Sequence, residues 1–261
     1  MLLYRFITFE QFVDIVVRQR MYLTQMLRWD DPYEARPLRE LVNEILDTRV
    51  DENVPRRVKD EIIAYVYRGL YAQSWTMLDE SDALWRIYSP DKMGVRITVD
   101  SQDVLDSIGN ADFTKPGRVN ILARNVEYCS PQVALDKARQ AAQVDGKYRF
   151  DPASLCFFKR EQFSHEQEYR FCVGLGYPGF ELDLTQTDFT QAEEENRIVT
   201  TLQGLTFPSI QYYPIEPKAV RAVTLDPRAP TWFLETAQHF CSKYLPNAQV
   251  NKSQLYESPS M

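Results

Sequence analysis

The sequence predicts an α+β fold: a single domain at residues 1–256, with a helical insertion near residues 37–70 and a short tail at 257–261. Three observations predict it. Strand-like and helix-like segments are mixed without a regular βαβ alternation, and no internal repeat is present. The chain of 261 residues, 44% of them hydrophobic, is also long enough to bury one large core.

The first elements follow from residue type and spacing. Residues 2–7 are rich in aromatic and β-branched side chains and predict a strand. Thr8 is the expected N-cap of a helix at 10–19, because Phe12, Ile15 and their neighbours recur with helical spacing. A second short strand is expected at 21–24, followed by a loop at 28–34.

The charged stretch at 37–70 predicts two amphipathic helices that separate near Pro55. Their apolar residues recur at helical spacing, at Leu38, Leu41 and Ile45 and then at Val58, Ile62, Tyr65 and Val66. A strand is expected at 71–75, a short helix at 83–89 with Ser81 or Asp82 as its cap, and a strand at 94–99.

The second half of the chain continues the mixed pattern. Further strands are expected at 121–128, 168–173, 210–215, 219–225 and 248–256, and helices at 131–144 and 230–244. The polar, acidic segment at 188–198 is expected to be a surface loop.

Composition removes several classes of function. The chain holds 9 glycines and neither GxGxxG nor GxxxxGK[ST], which disfavours Rossmann and P-loop chemistry. With 2 histidines and four widely spaced cysteines, a histidine-rich metal site or a zinc knuckle is disfavoured, and no metal is expected. Carboxylates, hydroxyls, arginines or a single histidine are left to carry any chemistry.

Location and partners are also constrained. No apolar run is long enough to span a membrane, and the start of the chain lacks the basic region of a signal peptide, so a cytoplasmic protein without membrane contact is expected. The net charge of −7 argues against broad, charge-driven binding to nucleic acid but leaves a local basic groove open.

Two clusters of interest lie in strand-like segments. Arg5, beside Tyr4, is either an edge arginine that reaches solvent or an anchored guanidinium that binds phosphate or ribose oxygens. Ser74, beside Trp75, is either a turn residue or a hydroxyl that orients another group.

Two further clusters involve a helix and a strand entrance. Trp85 and Tyr88 share one helix face, which suits either core packing or a wall on which a planar heterocycle stacks. Glu166 and Glu168 are two residues apart, so on an extended chain both point to one face. They form either a solvated strand edge or a site that uses two carboxylates.

The order of these clusters along the chain resembles the motif pattern of a large bacterial family of uncharacterised function. The pattern runs from Leu3-Tyr4-Arg5 through the loop at 29–34, Ser74, a WxxY helix, GVxIxxD at 94–100 and ExEYR at 166–170. It is in turn similar to the arginine–serine–glutamate order of ADP-ribosyltransferases, which implies a mixed or antiparallel split sheet and NAD as substrate.

That similarity implies roles for individual residues. Arg5, with Tyr4 beside it, would hold the pyrophosphate or the nicotinamide ribose, and Ser74 would orient the catalytic glutamate or the ribose. Glu168 would be the catalytic glutamate and Glu166 would orient the acceptor nucleophile. The aromatic residues expected to stack on nicotinamide or adenine are Trp75, Trp85 and Tyr88.

Bacterial members of this enzyme class are often toxins of toxin–antitoxin or anti-phage systems. The similarity therefore implies a protein or nucleic-acid acceptor, and an antitoxin or chaperone among the partners. Two alternatives stay open. One is an NAD glycohydrolase, in which water replaces the acceptor. The other is a non-enzymatic ligand- or partner-binding module whose interaction surface is the pair of charged helices at 37–70.

Overall fold

The computed structural model describes residues 1–29, 31, 33–34, 36–49, 54–113, 117–144, 147–148, 152–176 and 192–257. Within them the α+β class is confirmed, with a mainly antiparallel sheet flanked by helices. None of the described helices combines the length and the apolar character needed to cross a membrane.

The strands are short and distributed along the whole chain. They are β1 (Leu2–Ile7), β2 (Arg20–Gln25), β3 (Leu70–Thr76), β4 (Val95–Asp100), β5 (Gly117–Asn125), β6 (Glu127–Tyr128), β7 (Gln143–Val144), β8 (Lys147–Tyr148), β9 (Phe158–Lys159), β10 (Glu168–Gly176), β11 (Ile210–Pro214), β12 (Ala222–Leu225) and β13 (Gln249–Lys252).

The helices alternate irregularly with these strands. They are α1 (Phe9–Arg18), α2 (Arg36–Arg49), α3 (Arg56–Arg68), α4 (Asp82–Tyr88), α5 (Ser101–Gly109), α6 (Pro131–Ala142), α7 (Ala192–Gly204) and α8 (Thr231–Tyr244). Short 3₁₀ helices lie at Met26–Arg28, Pro152–Phe157, Glu161–Glu166 and Pro217–Ala219.

Local signals explain where the predicted helices begin. Thr8 accepts a hydrogen bond from the amide of Gln11, and the Gln11 side chain accepts one from the amide of Thr8, so a capping box starts α1. The hydroxyl of Ser81 accepts from the amide of Leu84 and starts α4. Of the two predicted caps for this helix, Ser81 is therefore the one used.

Strand order determines where the sheet opens. Among the described residues, nine strands form one sheet in the order β11-β2-β3-β1-β4-β12-β13, and β10 joins it between β3 and β5. β10 pairs with the whole of β3, from Leu70 to Thr76. β2 and β1 must therefore share the other edge of β3, where β2 pairs with Tyr71 and Ala72 and β1 pairs with Thr76.

This arrangement makes a fork in the sheet. In the described register β1 meets β3 at Tyr4 opposite Thr76, whereas it pairs with β4 over all six of its residues. Residues 73–75 of β3 lie between the residues that pair with β2 and the residue that pairs with β1. In the described register no strand pairs with them on this edge. The split sheet expected from the resemblance is present, and the fork lies between β1 and β2.

Side chains alternate between two cores on the opposite faces of the sheet. On β10, Phe171 and Val173 pack in a core covered by α1, α5 and α8. Cys172 points to the other face, into a core covered by α2, α3, α6 and α7. Ser74, Glu168 and Arg170 alternate in step with Cys172 and Ala72, which places them on this second face at the end of the strands.

Two α-helices were not predicted. The expected surface loop at 188–198 is wrong for the described part, because Ala192–Gly204 is a helix that buries Ile198, Val199 and Leu202. Its acidic first turn hid the helical spacing of these apolar residues and is favourable at a helix N-terminus. Residues 188–191 lie outside the described residues. The helix Ser101–Gly109 was also not predicted, although Asp100 caps it and Val104 and Ile108 anchor it in the core.

Candidate active site

The fork of the sheet opens into a cavity of about 610 Å³. Strands β1, β2, β3 and β10 line it, together with α4, the segment around Trp29 and the 3₁₀ helix that contains Phe163. The lining side chains combine arginine, carboxylate, hydroxyl and aromatic groups: Tyr4, Arg5, Tyr22, Arg28, Trp29, Asp31, Glu34, Ser74, Trp75, Tyr88, Lys159, Arg160, Phe163, Glu166, Glu168 and Arg170 are among them. The volume lies within the range of small-molecule and cofactor sites.

Seven of the eight residues singled out from the sequence line this cavity. They are Tyr4, Arg5, Ser74, Trp75, Tyr88, Glu166 and Glu168. Three strands and two helical segments contribute them, from the first strand of the chain to the tenth. The sheet therefore brings together residues that the sequence places far apart.

Arg5 of β1 lies at the fork of the sheet. Its guanidinium lies 5.2 Å from the ring centroid of Tyr22 and 5.9 Å from that of Trp75. Its Nη1 is buried and has no hydrogen-bond partner among the described residues. Because a buried donor without a partner costs roughly 1–3 kcal/mol, this atom is prepared for an acceptor that enters the cavity.

Glu168 is held from three sides. Its Oε2 accepts hydrogen bonds from the Ser74 hydroxyl at 3.1 Å and from Arg170 Nε at 2.6 Å, and its Oε1 lies 2.7 Å from Lys159 Nζ. Burial alone would raise the pKa of Glu168. The positive charges of Arg170 and Lys159, with hydrogen bonds to this carboxylate, outweigh burial and hold its pKa well below the ordinary value.

Glu166 behaves in the opposite way. Its Oε2 lies 2.5 Å from Lys159 Nζ, and its side chain is largely buried beside Glu168. Burial and the neighbouring Glu168 carboxylate raise the pKa of Glu166 to about 7, although Lys159 opposes this shift. The two glutamates therefore differ in charge at acid to neutral pH, Glu168 being ionised and Glu166 titrating.

The two glutamates come together for a reason other than the predicted one. Alternation along an extended strand was expected to place both on one face. Instead Glu166 ends a 3₁₀ helix, Gln167 adopts a left-handed conformation with φ of 42°, and β10 begins at Glu168. The left-handed turn, together with a bond from the Thr76 hydroxyl to the Glu166 carbonyl, brings the carboxyl groups side by side.

Three charged residues that pair with Glu168 or with its cationic partners were missed by sequence reasoning. Arg170 is almost fully buried and contacts Glu34 at 2.6 Å and the carbonyl oxygen of Cys156 at 2.7 Å. Lys159 and Glu34 complete the group, with 3.8 Å between Nζ and Oε1. Glu34 and Arg170 lie in the family motifs at 29–34 and 166–170, and these motifs could have identified them as site residues. No motif of the sequence includes Lys159.

The aromatic residues divide between cavity and core. Tyr88 lines the cavity, and Trp75 lines it while donating its indole hydrogen to Gln73 at 2.8 Å. Trp85 does not line it. The Trp85 ring is fully buried, packs edge-on against Phe6 and bonds to Glu80, so its position is that of a core residue and argues against the stacking role expected for it.

Comparison with known proteins gives one family match. A family model described as a protein of unknown function (DUF2971) matches residues 84–171, less than half of the chain. The matched segment contains Lys159, Glu166, Glu168 and Arg170. The likeness to a family of unknown function is confirmed over this segment, and the individual motif pattern stays a prediction. No curated protein matches the sequence.

Two solved structures are similar at a low level. Thermus sp. 2.9 DarT in complex with NAD+ aligns with 10% identity over 97% of this chain and 95% of that chain, with a TM-score of 0.36. Thermus sp. 2.9 DarT in complex with ADP-ribosylated ssDNA aligns with 11% identity over 96% and 91%, with a TM-score of 0.35. TM-scores below 0.5 do not establish a common fold.

Proposed function

We propose that this protein is an NAD-dependent ADP-ribosyltransferase. The observation that supports it is the convergence of Arg5, Ser74 and Glu168 on one cavity, from strands whose order in the chain is that of the enzyme class it resembles. The unpartnered Nη1 of Arg5 suits a pyrophosphate or ribose oxygen, and the half-exposed ring of Tyr88 suits a flat heterocycle.

The proposed chemistry is the cleavage of the bond between nicotinamide and the ribose C1′. As nicotinamide leaves, positive charge develops on the ribose, and the ionised carboxylate of Glu168 stabilises that charge electrostatically. Glu168 Oε1 contacts Lys159, and when Glu166 is ionised it can also accept a hydrogen bond from the ribose 2′-hydroxyl. The acceptor then bonds to C1′, and its proton passes to Glu166 in its ionised form, which predominates above the pKa of about 7.

The direct test is nicotinamide release from labelled NAD in the presence of acceptor pools. Glu168→Gln removes the charge and keeps the shape, so we expect nicotinamide release to fall by about 10²–10³-fold. The variant should fold, because Glu166 is close enough to Lys159 to supply a compensating charge. Glu161→Gln, an exposed glutamate outside the cavity lining, is the matched control and should retain activity.

Each outcome of this test is decisive. Wild-type protein that releases no nicotinamide with any acceptor pool would overturn the proposal in favour of a binding module. Release of nicotinamide without label transfer would replace the transferase by an NAD glycohydrolase. When transfer occurs, digestion of the labelled product with protease or nuclease identifies the acceptor as protein or nucleic acid.

The cellular part of the proposal is a cytoplasmic toxin or anti-phage effector that an antitoxin or chaperone restrains. Expression in a bacterial host should arrest growth with wild-type protein and with Glu161→Gln, and should leave growth normal with Glu168→Gln. Equal growth of all three strains at equal protein levels would contradict a toxic role.

A further inference from the structure

Lys159 occupies the centre of a buried cluster of charges. Its Nζ lies 2.5 Å from Glu166 Oε2, 2.7 Å from Glu168 Oε1 and 3.8 Å from Glu34 Oε1, and 9% of its side chain is exposed. The chemistry proposed for the site assigns this residue no step of its own. A lysine bonded to both glutamates of a candidate active site must nevertheless influence each of them.

The backbone of Lys159 is held independently of the glutamates. Lys159 forms β9 with Phe158, and β9 pairs in parallel with β6 so that Lys159 lies opposite Tyr128. The amide of Cys129 donates to the Lys159 carbonyl at 2.9 Å, and the amide of Glu168 donates to the Tyr128 hydroxyl at 2.8 Å. One small two-stranded element therefore fixes the distance between the lysine and the start of β10.

The charges of this cluster do not balance when all its members are ionised. Glu34, Glu166 and Glu168 face two cations, Lys159 and Arg170, so full ionisation leaves one uncompensated negative charge. A buried charge without a partner is costly, so one carboxyl group takes up a proton. Both cations contact Glu168 and both contact Glu34, whereas of the two Lys159 alone contacts Glu166 among the described residues. The proton therefore goes to Glu166.

We infer that Lys159 is a positioning residue of the proposed transfer reaction, which holds the Glu166 and Glu168 carboxyl groups side by side and determines which of them carries the proton. The role of Lys159 in the reaction rests on the proposed function. The arrangement of charges around Lys159 rests on the observed contacts alone. The groups that face Lys159 or act on it are Glu34, Glu166, Glu168, Tyr88 and Tyr128, and Arg170 shares Glu34 and Glu168 with it as partners.

The kinetic test compares Lys159→Met with the charge-retaining Lys159→Arg. We expect Lys159→Met to lower kcat for nicotinamide release by at least about tenfold and to leave KM for NAD within about threefold, because the lysine acts through the glutamates. Lys159→Arg should recover part of kcat. Lys218→Met removes an exposed lysine that pairs with Glu216 and is the control. A rise in KM with unchanged kcat would overturn the positioning role.

A second readout does not require activity. Carbon NMR of protein with labelled glutamate carboxyl carbons follows the ionisation of Glu166 and Glu168 with pH. Loss of a cation at hydrogen-bond distance should move the titration of the pair upward by about one pH unit or more in Lys159→Met, while Lys218→Met leaves it in place. An unchanged titration would refute the inference even if activity fell.

A double variant that leaves the net charge of the cluster unchanged controls for misfolding. Glu34→Gln combined with Lys159→Met removes one negative and one positive charge, and the amide oxygen introduced by Glu34→Gln can still accept a hydrogen bond from Arg170. The double variant should melt close to the wild-type temperature and still show the upward titration shift. If wild-type protein is inactive on NAD but the shift is observed, the proposed function fails and the role of Lys159 in arranging the carboxyl groups stands.

Discussion

The hydroxyl of Ser74 lies 3.1 Å from Oε2 of Glu168, although 94 residues separate them in the chain. The same hydroxyl accepts a hydrogen bond from Arg170 Nε at 3.2 Å, because Arg170 is directly opposite Ser74 in the pairing of β10 with β3. Ser74 therefore links the carboxylate and the guanidinium that neutralise each other, and it fixes the orientation of both.

Replacing Ser74 by alanine tests this link. Hydrogen bonds to charged groups contribute about 1.5–3 kcal/mol, so Ser74→Ala should slow nicotinamide release about tenfold to a hundredfold. Ser164→Ala, at an exposed position on the neighbouring 3₁₀ helix, is the control. Steady-state kinetics measure the effect, and an unchanged kcat would show that Arg170 and Lys159 orient Glu168 without the serine.

Arg5 should affect binding without supporting stability. Because Arg5 Nη1 has no hydrogen-bond partner in the described protein, Arg5→Met removes a buried unpaired donor and should leave the melting temperature equal or higher. The same change should weaken NAD binding about tenfold or more, since a charge-assisted contact is lost. Calorimetry measures both effects. A large loss of stability with normal affinity would assign Arg5 to the fold instead.

Trp85 and Tyr88 should respond in opposite ways to truncation. Trp85 is fully buried, so Trp85→Ala should lower the free energy of unfolding by about 3–5 kcal/mol. Tyr88 is 44% exposed at the cavity, so Tyr88→Ala should cost less than about 1 kcal/mol of stability and reduce NAD affinity instead. Urea denaturation and NAD titration separate the two, and a stable Trp85→Ala variant with weakened NAD binding would reverse the assignment.

The raised pKa of Glu166 predicts a pH-dependent stability effect. A carboxyl group whose pKa rises on folding contributes stability that is present below its unfolded pKa and is lost as pH rises through the folded value, here about 7. Glu166→Gln mimics the protonated form at all pH values. Its melting temperature relative to wild type should therefore be higher at pH 8 than at pH 5.

Glu161→Gln is the appropriate reference for this measurement, since that glutamate is exposed and lies outside the cluster. Its melting temperature relative to wild type should be the same at both pH values. An equal shift for Glu166→Gln at pH 5 and pH 8 would contradict the raised pKa.

Much of the fold follows from local signals in the sequence. Residues 2–7 carry aromatic and β-branched side chains, and Thr8 with Gln11 forms a capping box, so the first strand and helix were predictable within a residue. The helix Ala192–Gly204 was missed because three consecutive glutamates lie in its first turn, and its apolar residues contact a core assembled from distant segments. Burial by distant elements is not readable from local polarity.

The candidate site was likewise predictable only in part. Arg5, Ser74 and Glu168 were predictable because their order along the chain resembles a known pattern. Lys159 was not, because a lysine after two phenylalanines is an ordinary surface residue until β9 pairs with β6 and turns it inward. Trp85 could not be told apart from Tyr88 for a related reason, since sequence spacing puts both on one helix face but does not reveal how deeply each part of that face is buried.

The alternation of β10 has a consequence for how this protein can change. Glu168 and Arg170 face the cavity while Phe171 and Val173 anchor the core on the other face, so one strand register serves both. Inserting or deleting a single residue between Glu168 and Val173 would turn core groups into the cavity and charged groups into the core. Variation along this strand is therefore confined to substitutions, and a change in length would remove fold and function together.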